Sequence, residues 1–161
     1  GDLLECELAM HCTLVPNQCC HPCGEPRADQ LVAINRRQSQ EANNRYCEGH
    51  DRNCPRCPER SPRDTLRATC LQNRCAMVDL EMPMFTTCSA DTDCTMTLSM
   101  CCDSCNEHGV DDLIAVRRDQ LRDVRNAYCG DRPPMCPACI GMIQPGLVAK
   151  CVESVCTIQA E

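Results

Sequence analysis

Ten cysteines occur twice in one order along this chain. Cys6, Cys12, Cys19, Cys20, Cys23, Cys47, Cys54, Cys57, Cys70 and Cys75 are followed by Cys88, Cys94, Cys101, Cys102, Cys105, Cys129, Cys136, Cys139, Cys151 and Cys156. The first eight recur 82 residues on, as Cys6 to Cys88, and the last two 81 on, as Cys70 to Cys151, so one deletion after Cys139 reconciles the copies. A fixed period of this length reads as a tandem duplication. It predicts two small domains, residues 1–81 and 82–161, with ten cysteines in each.

Twenty cysteines in 161 residues, an even number, read as a disulfide framework. The physical reason is a poor core. The aromatics are Tyr46, Phe85 and Tyr128 alone, with no Trp. Domains of this size bury too little apolar surface to offset chain entropy, and a bridge removes that entropy from the unfolded state. Such bridges persist in an oxidising compartment. The expectation is a secreted, extracellular or periplasmic protein. A start at Gly1 without Met adds the expectation of a mature form after signal-peptide removal. No apolar run is long enough for a membrane span.

Net charge is −7. Residues 1–81 carry 12 acids and 10 bases, and residues 82–161 carry 11 acids and 6 bases. An acidic chain with no basic block excludes the ordinary nucleic-acid binder. The partners expected are further copies of the chain, as an oligomer or polymer, or another extracellular protein.

The fold class predicted is small disulfide-rich α+β, each copy one amphipathic helix with short strands and a hairpin. Residues 12–15 and 94–98 read as short strands. An amphipathic helix of about four to five turns is expected to end at Cys47 and at Cys129. Its apolar stripe is Leu31, Val32, Ile34, Ala42 and Tyr46 in the first copy, with fraying at Asn43, Asn44 and Arg45. In the second copy the stripe is Ile114, Leu121, Val124 and Tyr128, with Asp111 and Asp112 at the start as the helix dipole prefers. A proline-rich loop follows, then a hairpin around Cys70 and Cys75 or Cys151 and Cys156. Asn73 suits a left-handed turn position; the stretch from Val152 to Val155 offers no such residue. Adjacent pairs such as Cys19 and Cys20 should tie two elements to one point rather than bond to each other. Residues 79–87 form an apolar linker expected to pack between the copies or against another chain.

Two candidate chemistries compete with plain bridging at named positions. Paired Cys-x-x-Cys motifs, Cys20 and Cys23 with Cys54 and Cys57, and Cys102 and Cys105 with Cys136 and Cys139, have the composition of a four-thiolate zinc site. The oxidising compartment favours bridges at the same positions, so no metal or cofactor is expected. Arg56 and Ala138 each sit between two cysteines after a proline, as the exposed residue of a two-headed serine protease inhibitor would. His11, His21, His50 and His108 face Asp93, Asp103, Arg132 and Pro26 in the other copy, so no histidine recurs, and solvated surface positions are expected. No nucleophile, base and orienting group form a recognisable set, and no catalytic residue is expected. What remains is a structural or interaction protein whose two similar modules suit a self-assembling filament or surface-layer subunit.

The Cys-Cys-x-x-Cys knot, then Ala33-Ile34-Asn35-Arg36-Arg37, then Leu71-Gln72-Asn73-Arg74-Cys75, resembles uncharacterised cysteine-rich exported tandem modules of GC-rich bacteria. The second copy has Ala115-Val116-Arg117-Arg118-Asp119 and Val152-Glu153-Ser154-Val155-Cys156 at those places. The resemblance implies export and bridging and carries no activity. Complete pairing predicts an intact mass about 20 Da below that of the reduced chain. Mass spectrometry with and without reductant checks this, and a smaller deficit means free thiols.

Overall fold

The computed structural model describes residues 1–161. They form two compact units, one of Gly1–Asp79 with Cys129–Arg132, the other of Leu80–Tyr128 with Pro133–Glu161.

In the first unit, β1 (Cys12–Pro16) pairs antiparallel with β2 (Leu31–Asn35), Leu14 opposite Ala33. The helix α1 (Ser39–Cys47) follows. β3 (Leu66–Leu71) and β4 (Arg74–Asp79) then make a hairpin with Cys70 opposite Cys75. The two ladders pack on each other, β1 against β3 and β2 against β4. Two disulfides cross that interface: Cys12 on β1 to Cys75 on β4, and Cys6, ahead of β1, to Cys70 on β3. These four cysteines and Ala33 are the buried cluster, against which Leu14, Ala68 and Met77 pack. The entering segment is laced to the hairpin by Cys75 N–H to Leu4 O (2.7 Å) and Cys6 N–H to Asn73 O (3.0 Å). Cys19–Cys47, Cys20–Cys54 and Cys23–Cys57 complete the unit. Cys19 and Cys20 thus reach in different directions, one to the end of α1 and one to the proline-rich loop.

In the second unit, α2 (Pro83–Thr86) precedes β5 (Cys94–Leu98), β6 (Glu107–His108), β7 (Leu113–Arg117) and α3 (Leu121–Cys129). β8 (Met142–Ile143), β9 (Leu147–Val152) and β10 (Val155–Ala160) close it. β5 pairs antiparallel with β7, and β9 with β10; β5 packs on β9 and β7 on β10. Cys88–Cys151 and Cys94–Cys156 cross that interface, with Ala115 and Ala149 packed against them. Cys102–Cys136 and Cys105–Cys139 fix the proline-rich loop, and Cys101 and Cys129 are likewise bridged. No cysteine in the chain is free.

The long helix expected in each copy is a correction. Its first half is strand: residues 31–35 and 113–117 are β2 and β7. Val32, Ile34, Ile114 and Val116 are β-branched, lose rotamer freedom in a helix, and find a partner strand in β1 or β5. After β2 the Asn35 side chain accepts a hydrogen bond from Arg37 N–H (2.9 Å) and donates to Glu5 O (2.7 Å). The chain turns there, and only nine residues remain for α1 and for α3, about two and a half turns each. Within those turns the expected stripe holds, with Ala42 and Val124 fully buried. α1 runs through Asn43, Asn44 and Arg45, where fraying is expected, to Cys47. The Cys19–Cys47 bridge and the Glu41–Arg45 ion pair hold its last turn. The second unit carries a further short helix, α2, from the expected linker. Phe85 is buried there, and α2 packs on β7 and β10 of the same unit. Met82 and Met84 stay exposed.

Both hairpins close through two residues with positive φ, Gln72 (51°) with Asn73 (59°), and Glu153 (50°) with Ser154 (64°). The second corrects the expectation that this loop has no residue for a left-handed position. Two-residue loops need such turns because their twist matches the strands, and the ten-residue cysteine framework fixes the loop length whatever residues fill it. Glu and Ser occupy that conformation at a cost. Replacing Glu153 and Ser154 by Asn and Gly should therefore stabilise the oxidised protein by about 1 kcal/mol. Guanidinium unfolding of the two forms measures it, and an unchanged or lower midpoint contradicts the turn assignment.

Candidate interaction surface

The structure places every sequence-selected residue. The eight cysteines weighed as zinc ligands come together, but as Cys20–Cys54, Cys23–Cys57, Cys102–Cys136 and Cys105–Cys139. A sulfur in a disulfide carries no thiolate charge for a metal. Three-sulfur clusters such as Cys6, Cys12 and Cys75 are neighbouring bridges of the same kind. Arg56 and Ala138 are exposed, each at the centre of a tight turn closed by Cys57 N–H to Pro55 O (3.1 Å) and Cys139 N–H to Pro137 O (2.9 Å). Such a γ-turn folds the residue back on itself, unlike the extended segment that pairs with a peptide-binding cleft.

The histidines divide. His11 Nδ1 accepts from the N–H groups of Glu7 (3.3 Å) and Leu8 (3.4 Å). At the corresponding place Asp93 Oδ2 accepts from Ser89 (2.8 Å) and Ala90 (3.0 Å). The two side chains close one turn with different acceptors, and the backbone donors of Ser89 and Ala90 hold the Asp93 carboxyl below the usual range. His21 Nε2 lies 3.0 Å from Cys57 O, and His50 is exposed. His108 corrects the expectation of a solvated histidine: its side chain is buried, the residue only 1% exposed. Its Nε2 is 2.7 Å from Asp103 Oδ1, and its Nδ1 is 3.7 Å from Asp112 Oδ2.

The Asp103–His108 pair is the base of a loop. Asp103 also accepts from Cys105 N–H (2.8 Å) and Gly141 N–H (2.8 Å). Gly141 lies flat over the pair: an added Cβ would stand 2.4 Å from Asn106 O, 2.5 Å from His108 Nε2 and 2.6 Å from Asp103 Oδ1. Only glycine fits a backbone approach this close. β6 and β8 form a two-residue parallel ladder beside it, extended by Gln144 N–H to His108 O (2.9 Å). Two disulfides, a carboxylate and a ladder thus pin residues 135–143 from below. Sealed under backbone, the histidine is a clamp rather than an accessible base.

Above that base the apolar side chains point into water. Met135 is fully exposed, Ile140 is 94% exposed and Met142 is 69% exposed, with Ile143 beside them. The sequence signal for this surface is a run without charge, residues 133–149. The corresponding stretch of the first unit, residues 51–67, holds Asp51, Arg52, Arg56, Glu59, Arg60, Arg63, Asp64 and Arg67. Cysteine spacing draws attention to what the two stretches share, and this difference lies in the residues between. Isolated exposed apolar residues are ordinary; several on one bridged loop make it the candidate interaction surface.

Comparison with known protein families, curated proteins and solved structures finds no match. No helix is long and apolar enough to cross a membrane.

The clamp makes the loop sensitive to acid. The hydrogen bond from His108, then the N–H groups of Cys105 and Gly141, hold the Asp103 carboxyl below the usual aspartate range. A depressed carboxylate contributes stability that is present above its unfolded pKa and lost as pH falls through the folded one. The Cys105 and Gly141 amide resonances should therefore shift together in an acid titration, with one midpoint below that of an ordinary aspartate. Flat amide shifts, or a midpoint at the ordinary value, would contradict the clamp.

Proposed function

We propose that this chain is an extracellular structural and interaction protein, two disulfide-clamped modules arisen by duplication that assemble with further copies of the same chain. The observation that carries this reading is the uncharged loop of the second unit, whose Met135, Ile140 and Met142 are held in water by a covalent and hydrogen-bonded base. An apolar surface of this kind is costly to solubility, and a rigid one loses little entropy on docking. Export is supported by the bridged state of all the cysteines and by the resemblance to exported modules. The duplication is supported by matched bridges at corresponding positions, such as Cys12–Cys75 with Cys94–Cys156, and by equal strand registers.

The other chemistries have less behind them. A four-thiolate zinc site needs the bridges Cys20–Cys54 and Cys23–Cys57 reduced. An inhibitor needs Arg56 extended, where it occupies a γ-turn. An enzyme built on His108 would need substrate to pass Gly141, whose backbone covers the ring.

Sedimentation velocity over a concentration series, with electron microscopy of the same material, tests the assembly. The native protein should associate as concentration rises. Ile140→Asp and Met135→Glu should each weaken association at least about tenfold, the effect of about 1.4 kcal/mol of lost contact. Both variants should keep the full disulfide mass deficit. A native chain that sediments as a monomer at every concentration refutes the proposal.

A further inference from the structure

One hairpin turn of the chain is covered and its counterpart is bare. In the first unit the segment Cys129–Arg132 lies on the outer edge of the β3–β4 hairpin. Asp131 holds that edge twice. Its N–H donates to Cys70 O (3.2 Å), and its carboxylate accepts from Gln72 N–H (2.7 Å). Gly130, at φ +73°, allows the approach: an added Cβ would stand 3.0 Å from Cys70 O and 3.4 Å from Ala9 Cβ. Under this cover Cys70 is 3% exposed and Leu71 is half-buried.

The second unit repeats the hairpin without the cover. Cys151 and Glu153 stand where Cys70 and Gln72 do. Cys151 faces Cys156 across the ladder and turns its N–H outward to Asp91 Oδ1 (2.9 Å). A strand residue points both backbone groups to one side, so its carbonyl faces outward too. Neither that carbonyl nor Glu153 N–H has a partner. Cys151 is half-buried where Cys70 is buried, and Val152 and Val155, paired at the mouth of the turn, are exposed. The edge thus offers the acceptor and the donor that Asp131 takes in the first unit, flanked by two apolar side chains.

The covering segment has a counterpart as well. Residues 48–52 follow α1 as Cys129–Arg132 ends and follows α3. Each helix ends in Tyr-Cys, each is followed by a glycine at positive φ (Gly49 75°, Gly130 73°), and each chain then reads Asp-Arg, Asp51-Arg52 and Asp131-Arg132. Cys129 and Gly130 are buried, whereas Glu48, Gly49, His50 and Asp51 are exposed. Asp51 is engaged only with its neighbour, on Asn53 N–H (3.1 Å) and Asn53 Nδ2 (3.2 Å), and a carboxylate has acceptor sites beyond these. The copies differ in reach. Asp91 replaces the small Ala9 beside the second hairpin, and Asp51 stands four residues beyond its helix where Asp131 stands two. The longer arm suits the edge with the larger side chain.

A tandem array that uses one contact between successive repeats leaves the two halves of that contact over at its ends. We infer that the hairpin turn of the second unit binds residues 48–52 of another copy, with the Asp51 carboxylate on Glu153 N–H and the Asp51 N–H on Cys151 O. This rests on the assembly proposed above and adds a contact separate from the uncharged loop. Each copy carries one surface of each kind, so the contact repeats into an open chain of subunits.

The two surfaces are tested together. Val155→Asp and Asp51→Lys, both at exposed positions, should each weaken association about tenfold in sedimentation velocity. Combined in one chain they should restore it, because opposite charges then meet across the contact; a loss caused by misfolding is not restored this way. Val152→Asp serves in place of Val155→Asp should that variant lose its full disulfide mass deficit. A photocrosslinker at position 155, in a mixture of unlabelled and 15N-labelled protein, reads the contact directly. Products joining a labelled to an unlabelled chain at residues 48–52 are expected, and they should persist in Ile140→Asp, whose loop is disabled. The inference is overturned if both single variants associate like the native protein, if the double variant associates no better than the weaker single one, or if the crosslinks lie within one chain or outside residues 48–52 of the other. Native association and its weakening by Ile140→Asp are read in the same runs, so this failure is distinct from that of assembly through the loop.

Discussion

Four disulfides decide this structure: Cys6–Cys70 and Cys12–Cys75 in the first unit, Cys88–Cys151 and Cys94–Cys156 in the second. Each pair lies at the interface of two short antiparallel ladders, where a larger domain would place aromatic and branched side chains. Two-stranded ladders are marginal alone in water. Closing a loop of more than sixty residues removes unfolded-state entropy worth about 4 kcal/mol in the chain-entropy account. Beside the sulfurs, Ala33 and Ala68 on one side and Ala115 and Ala149 on the other are small, and they let the ladders approach to the distance a cystine spans, while Leu14 and Met77 fill in around the first cluster.

What could be read beforehand follows from how locally each feature is determined. The strand at Cys12 and the hairpins at Cys70 and Cys151 are short alternating runs between turn residues, and they lie where expected. Residues 31–46 failed because Leu31, Val32 and Ile34 fit a helical stripe as well as a strand, and the partner that decides, β1, lies about twenty residues upstream. Glu153 and Ser154 were passed over because their intrinsic preference disfavours a left-handed turn, while the flanking cysteine pair imposes one. Cysteine spacing shows that bridges exist and is silent on partners, since the pairings of Cys20 with Cys54 and Cys23 with Cys57 depend on the folded path.

The site was legible only in part, and for another reason. His108 looked like a surface histidine because the corresponding residue is Pro26, and correspondence was the guide. Burial of the ring depends on Asp103, which accepts its hydrogen bond, and on Gly141, which covers both. Gly141 lies 38 residues beyond Asp103, and each of the three is ordinary by itself. The units share a framework and differ where His21, Pro26 and Glu59 replace that trio, and no strand matching β8 forms in the first unit. Substitution at clamp positions can thus alter what a unit presents without disturbing its ladders.

The bridges from Cys20 to Cys54 and from Cys23 to Cys57 join two four-residue segments at both ends. Peptide and sulfur bonds there make a closed ring, and Cys102, Cys105, Cys136 and Cys139 make another. A secreted protease that hydrolyses the bond after Arg56 or Ala138 therefore releases nothing. The severed ends stay tethered through cystine on either side, and the molecule gains one water while keeping its outline. Damage of that sort accumulates unseen until a reductant arrives, and then the ring opens at once.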